Sequence, residues 1–461
     1  MEKLMQIQTE STTKLTKVLL LLGISLGYFM VLLDTTVVSI ALPAIQNEWG
    51  GGIVDLQWVV NAYTIVFTGL LLSMGGIADK LGAKRVYIGG LVLFLAASAV
   101  TAAVPSLQWL ITMRAILGIG GAALMPSSLS LLAHTFPKPA ERARVLGIWA
   151  AVTGFAMASG PVIGGFLVDS FGWRSIFLLN VPLAVASLII TSLLVTEMKR
   201  KQGQRYDLLG QILAIAAISA LSYAIMEGEA YGWQSLVITV AFGLALLSAI
   251  LFLIVEAKGK APMLPLAIFK NATVSAGMAA GMAINIGLSA ILFVLPLFYE
   301  QISGLSAHLA GLALLPMTIP LAVNPIVTGR IVSRIGARIP MTVGFGLTAL
   351  GTLLQTGVDV NTSYILSWGG LLLVGFGVSF TIPSLMAAVI SSVPKEQTGI
   401  VSGALNSSRQ LGATLGVAFI GAILNGSESF IVGMHGALIV TAAILLGGSL
   451  LSFLFMGRSM A

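Results

Sequence analysis

The sequence predicts an all-α polytopic membrane protein with 14 transmembrane spans, two six-helix bundles plus two inserted helices. Three observations carry the prediction. Hydrophobic residues make up 57% of the chain and charged residues only 9%, whereas a soluble domain carries about 25% charged residues. Apolar runs of the roughly 20 residues that a bilayer requires recur from end to end. The connections between these runs alternate between basic and acidic.

Residues 1–17 are polar and hold Lys3, Lys14 and Lys17. The apolar run that follows, near 18–42, is too long for a signal-peptide core and no small-residue cleavage site follows it, so it reads as a retained first span. Runs near 55–77, 86–104, 107–133, 143–168 and 175–196 complete a first bundle over 18–196. The polar stretch EMKRKQGQRYD supplies a linker, 197–206, and runs near 207–227 and 233–255 form the inserted pair, 207–255. A second linker, 256–271, precedes runs near 272–298, 306–330, 339–358, 363–390, 398–424 and 434–456. These make a second bundle over 272–456, with a tail at 457–461.

An even number of spans puts both termini on one side, and the charges agree. Lys80, Lys84, Arg85, Lys138, Arg142, Arg144, Arg330, Arg334, Arg338 and Lys395 share one face with the two linkers and the terminal segments, giving that face 21 of the 24 Lys and Arg. The opposite loops hold Arg174 alone among basic residues, but carry Glu48, Asp55, Asp169, Glu227, Glu229, Glu300, Asp359 and Glu428. Cytoplasmic loops are the basic ones. Both termini are therefore expected in the cytoplasm, and the protein in the cell (cytoplasmic) membrane. The formal charge of +7 follows from this bias and implies no nucleic-acid partner. With no cysteine there is neither a disulfide nor a thiolate metal site. The histidines His134, His308 and His435 form no ligand spacing and read as solvated, so no metal is expected. No G-x-x-x-x-G-K-[ST] loop is present, so no nucleotide is expected to power the protein.

The chain repeats itself. GGIADKLGAKR (75–85) is echoed by GRIVSRIGAR (329–338) at an offset of 254, and GIGGAALMPSS (118–128) by GFGVSFTIPSL (375–385) at 257. Parallel six-span halves related by an axis along the membrane normal are the plan of major facilitator transporters. On these residues the chain resembles the fourteen-span drug:proton antiporters of that superfamily along nearly its full length. The resemblance implies the major facilitator fold, proton-driven export and a small-molecule substrate. It implies no cofactor, and a monomer in the lipid bilayer.

Further motifs extend the resemblance. GGIADKLGAKR looks like the superfamily's signature loop, with Gly75, Asp79, Lys80, Gly82, Lys84 and Arg85 at matching positions and Ala83 where a basic residue is common. Its glycines allow a tight turn, and Asp79 can meet a helix N-terminus or an arginine and so gate the cavity. Ser333 replaces this aspartate in the echo, so the lock is expected to be asymmetric. GFAMASGPVIGG (154–165) resembles the antiporter motif through Gly154, Gly160, Pro161, Gly164 and Gly165. Small residues let helices approach, and proline removes a helix hydrogen bond. QWVVNAY (57–63), WRSIFLLNVP (173–182) and GALNSSRQLGATLG (403–416) are similar to other stretches of the group, which makes Asn61, Tyr63, Asn180, Asn406 and Arg409 candidate cavity residues. Trp58 and Trp173 read as interfacial anchors. In RAILGIGGAALMPSS (114–128), Leu117 stands where the family has glutamine, which puts part of the polar network there in doubt.

One acid stands out. Asp34 sits inside the apolar run YFMVLLDTTVVSIALP, where insertion scales put the cost of a charge at about 2.5–3.5 kcal/mol. Counted along rising and falling spans, Asp34 and Arg114 both lie roughly 10–12 Å below the outer surface at 1.5 Å per residue. Opposite charges at one depth can offset each other's desolvation. Burial favours a neutral carboxyl and a neighbouring cation favours a charged one. An acid held between these influences is poised to bind and release a proton, so Asp34 and Arg114 are the candidate coupling pair. One clear acid against two membrane arginines tilts the expected cargo towards neutral or weakly anionic antibiotics. The methylenomycin A resistance branch, which handles a small carboxylic acid, and the broad multidrug branch both fit. A proton-coupled importer is the competing class, with a passive facilitator or transporter-like receptor behind it; a direct flux assay separates them.

Overall fold

The computed structural model describes residues 2–136, 138–197, 207–259, 262–359, 364–394 and 397–457; nothing is said of the side chains of 2–14, 139, 140, 143, 150 and 153. Lys199, Arg200, Lys201, Arg205, Lys260, Lys395 and Arg458, with most of the 197–206 linker and the 457–461 tail, lie outside the described residues. The described chain is helical throughout, as an apolar chain must be when its backbone groups have no water to bond. We label the helices α1 (Glu2–Trp49), α2 (Ile53–Leu81), α3 (Ala83–Thr101), α4 (Leu107–Thr135), α5 (Pro139–Phe171), α6 (Ser175–Leu194), α7 (Leu208–Tyr231) and α8 (Leu236–Lys258). The second half holds α9 (Ala272–Leu297), α10 (Ala307–Ala313), α11 (Leu315–Ile335), α12 (Arg338–Gln355), α13 (Tyr364–Ser391), α14 (Thr398–Asn425) and α15 (Phe430–Phe455).

Twelve helices among the described residues are long and apolar enough to cross a membrane. The expected spans near 339–358 and 398–424 are helical, as α12 and α14, but fall outside that set. The reason is composition: α12 has 18 residues bounded by Arg338 and Gln355, and α14 carries Asn406, Arg409 and Gln410 mid-helix. Two other expectations need correction. α1 begins at Glu2 rather than near residue 18, so the polar N-terminal segment continues the helix. The run at 306–330 is broken after Ala313 into α10 and α11, with Pro316 at the start of α11.

The internal repeat is visible in the packing. Gly82 (φ 102°) ends α2 and Gly336 (φ 79°) ends α11, both in the left-handed region that glycine alone adopts cheaply. A Cβ at Gly90 would sit 3.1 Å from the Gly120 carbonyl, and one at Gly344 would sit 2.7 Å from the Gly377 carbonyl. The α3–α4 and α12–α13 contacts are thus the same close crossing made twice. Tyr87 ties three helices of the first bundle, donating to the Ile24 carbonyl (2.8 Å) and facing Ser187 Oγ (3.1 Å).

The halves meet along two seams. On one, α5 packs against α10 and α11; on the other, α2 packs against α14, and α7 lies over both. Met226 of α7 takes the Asn61 amide (3.2 Å), and Trp58 donates to Glu227 (3.0 Å). α8 packs on α7 and leaves an outward row of large apolar side chains, including Leu236, Val240 and Leu246.

Candidate functional site

Asp34 on α1 and Arg114 on α4 are brought together. Arg114 Nη1 donates to Asp34 Oδ2, and each residue is 1% exposed. Arg114 Nε donates to the Val59 carbonyl of α2 (3.0 Å), and the guanidinium lies 4.6 Å above the Tyr63 ring. Tyr63 in turn donates to the Val31 carbonyl (3.3 Å). The α4 glycines explain how a large cation fits here. A Cβ at Gly118 would stand 2.6 Å from the Tyr63 carbonyl, and one at Gly121 would stand 2.8 Å from its hydroxyl. Small residues let α2 close on α4 and lay the ring under the guanidinium, a cation–π contact in a dry setting. Asp34 Oδ1 has no hydrogen-bond partner among the described residues. Leu117 is fully buried within this shell.

A cavity of about 110 Å³ lies beside the pair, between the halves. Thr35 and Thr36 of α1, Val60 and Thr64 of α2, and Met125 and Met157 line one side. Asn285, Ser289 and Phe293 of α9 and Asn406, Arg409 and Gln410 of α14 line the other. Asp34 is one residue from this wall but is not part of it. Of the five candidate cavity residues, Asn406 and Arg409 reach the cavity. The other three do not: Asn61 faces α7, Tyr63 is buried under Arg114, and Asn180 donates to Ser98 of α3 (3.3 Å). Motif resemblance named these residues but gave no direction around the helix.

The antiporter-like glycines are seams. A Cβ at Gly160 would run into Thr36, and one at Gly164 would lie 2.6 Å from Val37 Cγ2, so α5 is pressed against the α1 segment that follows Asp34. Across α5, Gly165 meets the Ala307 carbonyl, the Pro161 carbonyl meets Gly311, and a Cβ at Gly154 would stand 3.3 Å from the Leu321 carbonyl. α5 continues through Pro161 without a break.

At the end of the bundle holding the α1–α2 turn, Asp169 accepts from the Ala307 (3.1 Å) and His308 (2.8 Å) amides, capping α10 from the other half. Gln301 donates to Gln46 (2.6 Å), and Gln57 donates to the Val417 and Ala418 carbonyls (2.8 Å each). Sequence reasoning missed Gly311, Gln57 and Asn285, and took Asp169 only for a loop acid. The same end holds a clamp. Glu48 accepts two hydrogen bonds from Arg174 and one from Trp173, all 2.7 Å. The Glu48 hydrogen bonds raise the Arg174 pKa above its ordinary value. Trp173 is 3% exposed, buried rather than an interfacial anchor, whereas Trp58 is half-buried and bonds Glu227. His308 and His435 are half-buried rather than solvated, and His435 Nε2 lies 3.0 Å from the Val358 carbonyl.

At the α2–α3 turn, Lys84 donates to the Ser192 carbonyl (2.8 Å) and Arg85 pairs with Glu197 at 3.5 Å. A Cβ at Gly82 would lie 2.5 Å from Glu197 Oε1, and one at Gly75 would lie 3.8 Å from Pro126 Cβ. This loop is fastened to the end of α6. Asp79 and Lys80 also have interactions of their own.

The Major Facilitator Superfamily family model matches residues 24–417. The chain belongs to the Major Facilitator Superfamily. It is accordingly a multi-pass membrane transporter and not an enzyme. It is 36% identical over 448 residues to the methylenomycin A resistance protein of Bacillus subtilis, covering 97% of this chain and 96% of that one. The methylenomycin A resistance protein of Streptomyces coelicolor is 33% identical over 430 residues (92% and 90%). The multidrug resistance protein Stp of Mycobacterium tuberculosis is 34% identical over 409 residues (89% and 76%). Among solved structures, an auto-inhibited POT family peptide transporter superposes with a TM-score of 0.70 at 12% identity, over 96% of this chain and 97% of that one. The nucleoside transporter NupG gives 0.66 at 15%, over 96% and 100%. The superfamily fold accounts for a polar cavity walled by both halves.

Proposed function

We propose that this superfamily member is a fourteen-span proton-coupled antiporter that exports small drug-like molecules by alternating access, with both termini cytoplasmic. The observation that carries the proposal is the buried Asp34–Arg114 pair directly behind the cavity wall formed by Thr35 and Thr36. The names of the relatives, antibiotic and multidrug resistance proteins, support export of such compounds. The fourteen-span count is supported by the surroundings of the two helices with weaker hydropathy. α14 turns Asn406, Arg409 and Gln410 into the cavity, and α12 packs between α13 and α15, so their polarity need not meet lipid.

The coupling follows from electrostatics. With Asp34 ionised, the pair is neutral and the Arg114 charge is satisfied. Protonating Asp34 leaves a buried cation without its counter-charge, a state worth avoiding by about 3–5 kcal/mol. The α1 segment at Thr36 and Val37 is pressed between this pair and the α5 glycines. A change at Asp34 is therefore passed to α5, which also contacts α10 and α11 of the other half. In the proposed topology the Asp169, Gln46 and Gln57 contacts close the outer face. Proton entry from outside would then require these contacts to part, and proton release to the cytoplasm would follow their closure. Each proton entering down a 100 mV potential supplies about 2.3 kcal/mol.

The test is a resistance screen of cells expressing the protein against chemically varied antibiotics, with and without an uncoupler. Resistance that the uncoupler abolishes, with lower drug accumulation in expressing cells, is the expected result. Reduced accumulation that persists without a proton gradient would overturn proton coupling, and increased drug uptake would overturn export.

A further inference from the structure

The two membrane arginines differ. Arg114 is matched by Asp34, whereas Arg409 forms no ion pair among the described residues and opens on the cavity. Its stem is laid across α9, where a Cβ at Gly281 would approach Arg409 Cγ to 3.0 Å. Its head is held loosely, by Asn285 and Asn406 Oδ1 atoms at 3.4 Å each. A guanidinium has five N–H donors in a fork suited to a planar or tetrahedral anion, and these two long bonds leave most of its donors uncommitted. Among the described residues, no Asp or Glu lines the cavity. A cation taken out of water without a counter-charge is held at a cost that an anion entering beside it removes. The opposite wall sets Leu32, Val60, Met125 and Met157 beside the hydroxyls of Thr35, Thr36 and Thr64.

We propose that Arg409, positioned by Gly281, Asn285 and Asn406, is an anion-binding subsite, and that the cavity selects small amphipathic monoanions. The proposal rests on reading this cavity as the substrate site. The anionic group sits at the Arg409 fork, and an apolar body lies against the methionine wall. Asp34 is spared direct competition for the cargo, because its charge is committed to Arg114 outside the cavity lining.

The experiment uses the purified full-length protein in detergent and three matched probes: naphthalene-1-sulfonate, neutral naphthalene-1-sulfonamide, and the cation trimethyl(1-naphthyl)ammonium. Affinities are read from ligand-dependent shifts in thermal unfolding. The sulfonate should bind at least about tenfold more tightly than the sulfonamide, the step expected of a charge-assisted hydrogen bond, and the cation should bind most weakly. Arg409→Gln should erase the preference, while Arg409→Lys, which keeps the charge without the fork, should keep part of it. Equal affinity for sulfonate and sulfonamide, a preference that survives in Arg409→Gln, or no sulfonate binding at millimolar concentration would each overturn the proposal. Should Arg409→Gln fail to fold, the wild-type and Arg409→Lys comparisons decide. Binding in detergent involves no gradient, so failure of proton coupling leaves this result standing, and the reverse holds.

Discussion

Arg114, with 1% of its surface exposed, is held by a carboxylate, a carbonyl and an aromatic face. The carboxylate is the only one of these that can change charge. Removing one partner of a buried pair costs about 3–5 kcal/mol, so Asp34→Ala should lower thermal stability in detergent markedly. Asp34→Ala/Arg114→Ala should be less destabilised than the two single changes predict, by about 0.5–3 kcal/mol, as contacting residues show. Additive losses, measured by thermal unfolding of all three variants, would contradict the contact. Helical rise converts residue counts into depth and so gave Asp34 and Arg114 a common depth in the sequence; their contact is a finding of the structure. Asn61, Tyr63 and Asn180 came instead from motif resemblance, on helices apolar around much of their circumference. Hydropathy there gives no direction, and the three residues turn to α7, Arg114 and α3 instead.

The fifth helix joins the coupling pair to the other half. Gly165 and Gly311 both meet carbonyl groups across the α5–α10 crossing, and neither approach leaves room for a Cβ. Gly165→Ala and Gly311→Ala should each disfavour the present closed arrangement, by about 1–3 kcal/mol, the usual range for overpacking. The chain contains no cysteine, so Gln46→Cys/Gln301→Cys reports this end of the bundle without background. Crosslinking of these positions by a short bifunctional thiol reagent, which spans the reach of the two glutamines, should be efficient in the parent and reduced when either glycine is replaced. Unchanged crosslinking would show that the crossing does not control closure. Gly160→Leu should reduce export while protein still reaches the membrane, because the side chain would enter the space of Thr36; normal export at normal membrane levels would contradict it. The α5 motif announced close packing from its composition. Its partner Gly311 carried no motif, because the partner of a glycine needs only to be small.

The α3–α4 crossing repeated at α12–α13 matches the echoes in the sequence, and α7 packs against α2, α14 and α8. The weaker hydropathy of α12 and α14 is where sequence pattern and span count part: α14 lines the cavity with Asn406, Arg409 and Gln410, and α12 buries Thr348, Thr352 and Gln355. Tags at residue 3 and in the 197–206 linker should be inaccessible in intact cells, whereas tags at 50–52 should be accessible; an external N-terminus would contradict the proposed topology. The central claim is that Asp34 carries the proton. It is tested most directly by reconstituting wild type and Asp34→Asn in vesicles and imposing a pH gradient with a compound identified by the resistance screen. The amide keeps the shape of the carboxyl and cannot titrate. Wild-type vesicles should accumulate the compound in response to the gradient, and Asp34→Asn vesicles should not, although they still bind it. Gradient-driven accumulation by Asp34→Asn would contradict the account and move the coupling acid elsewhere.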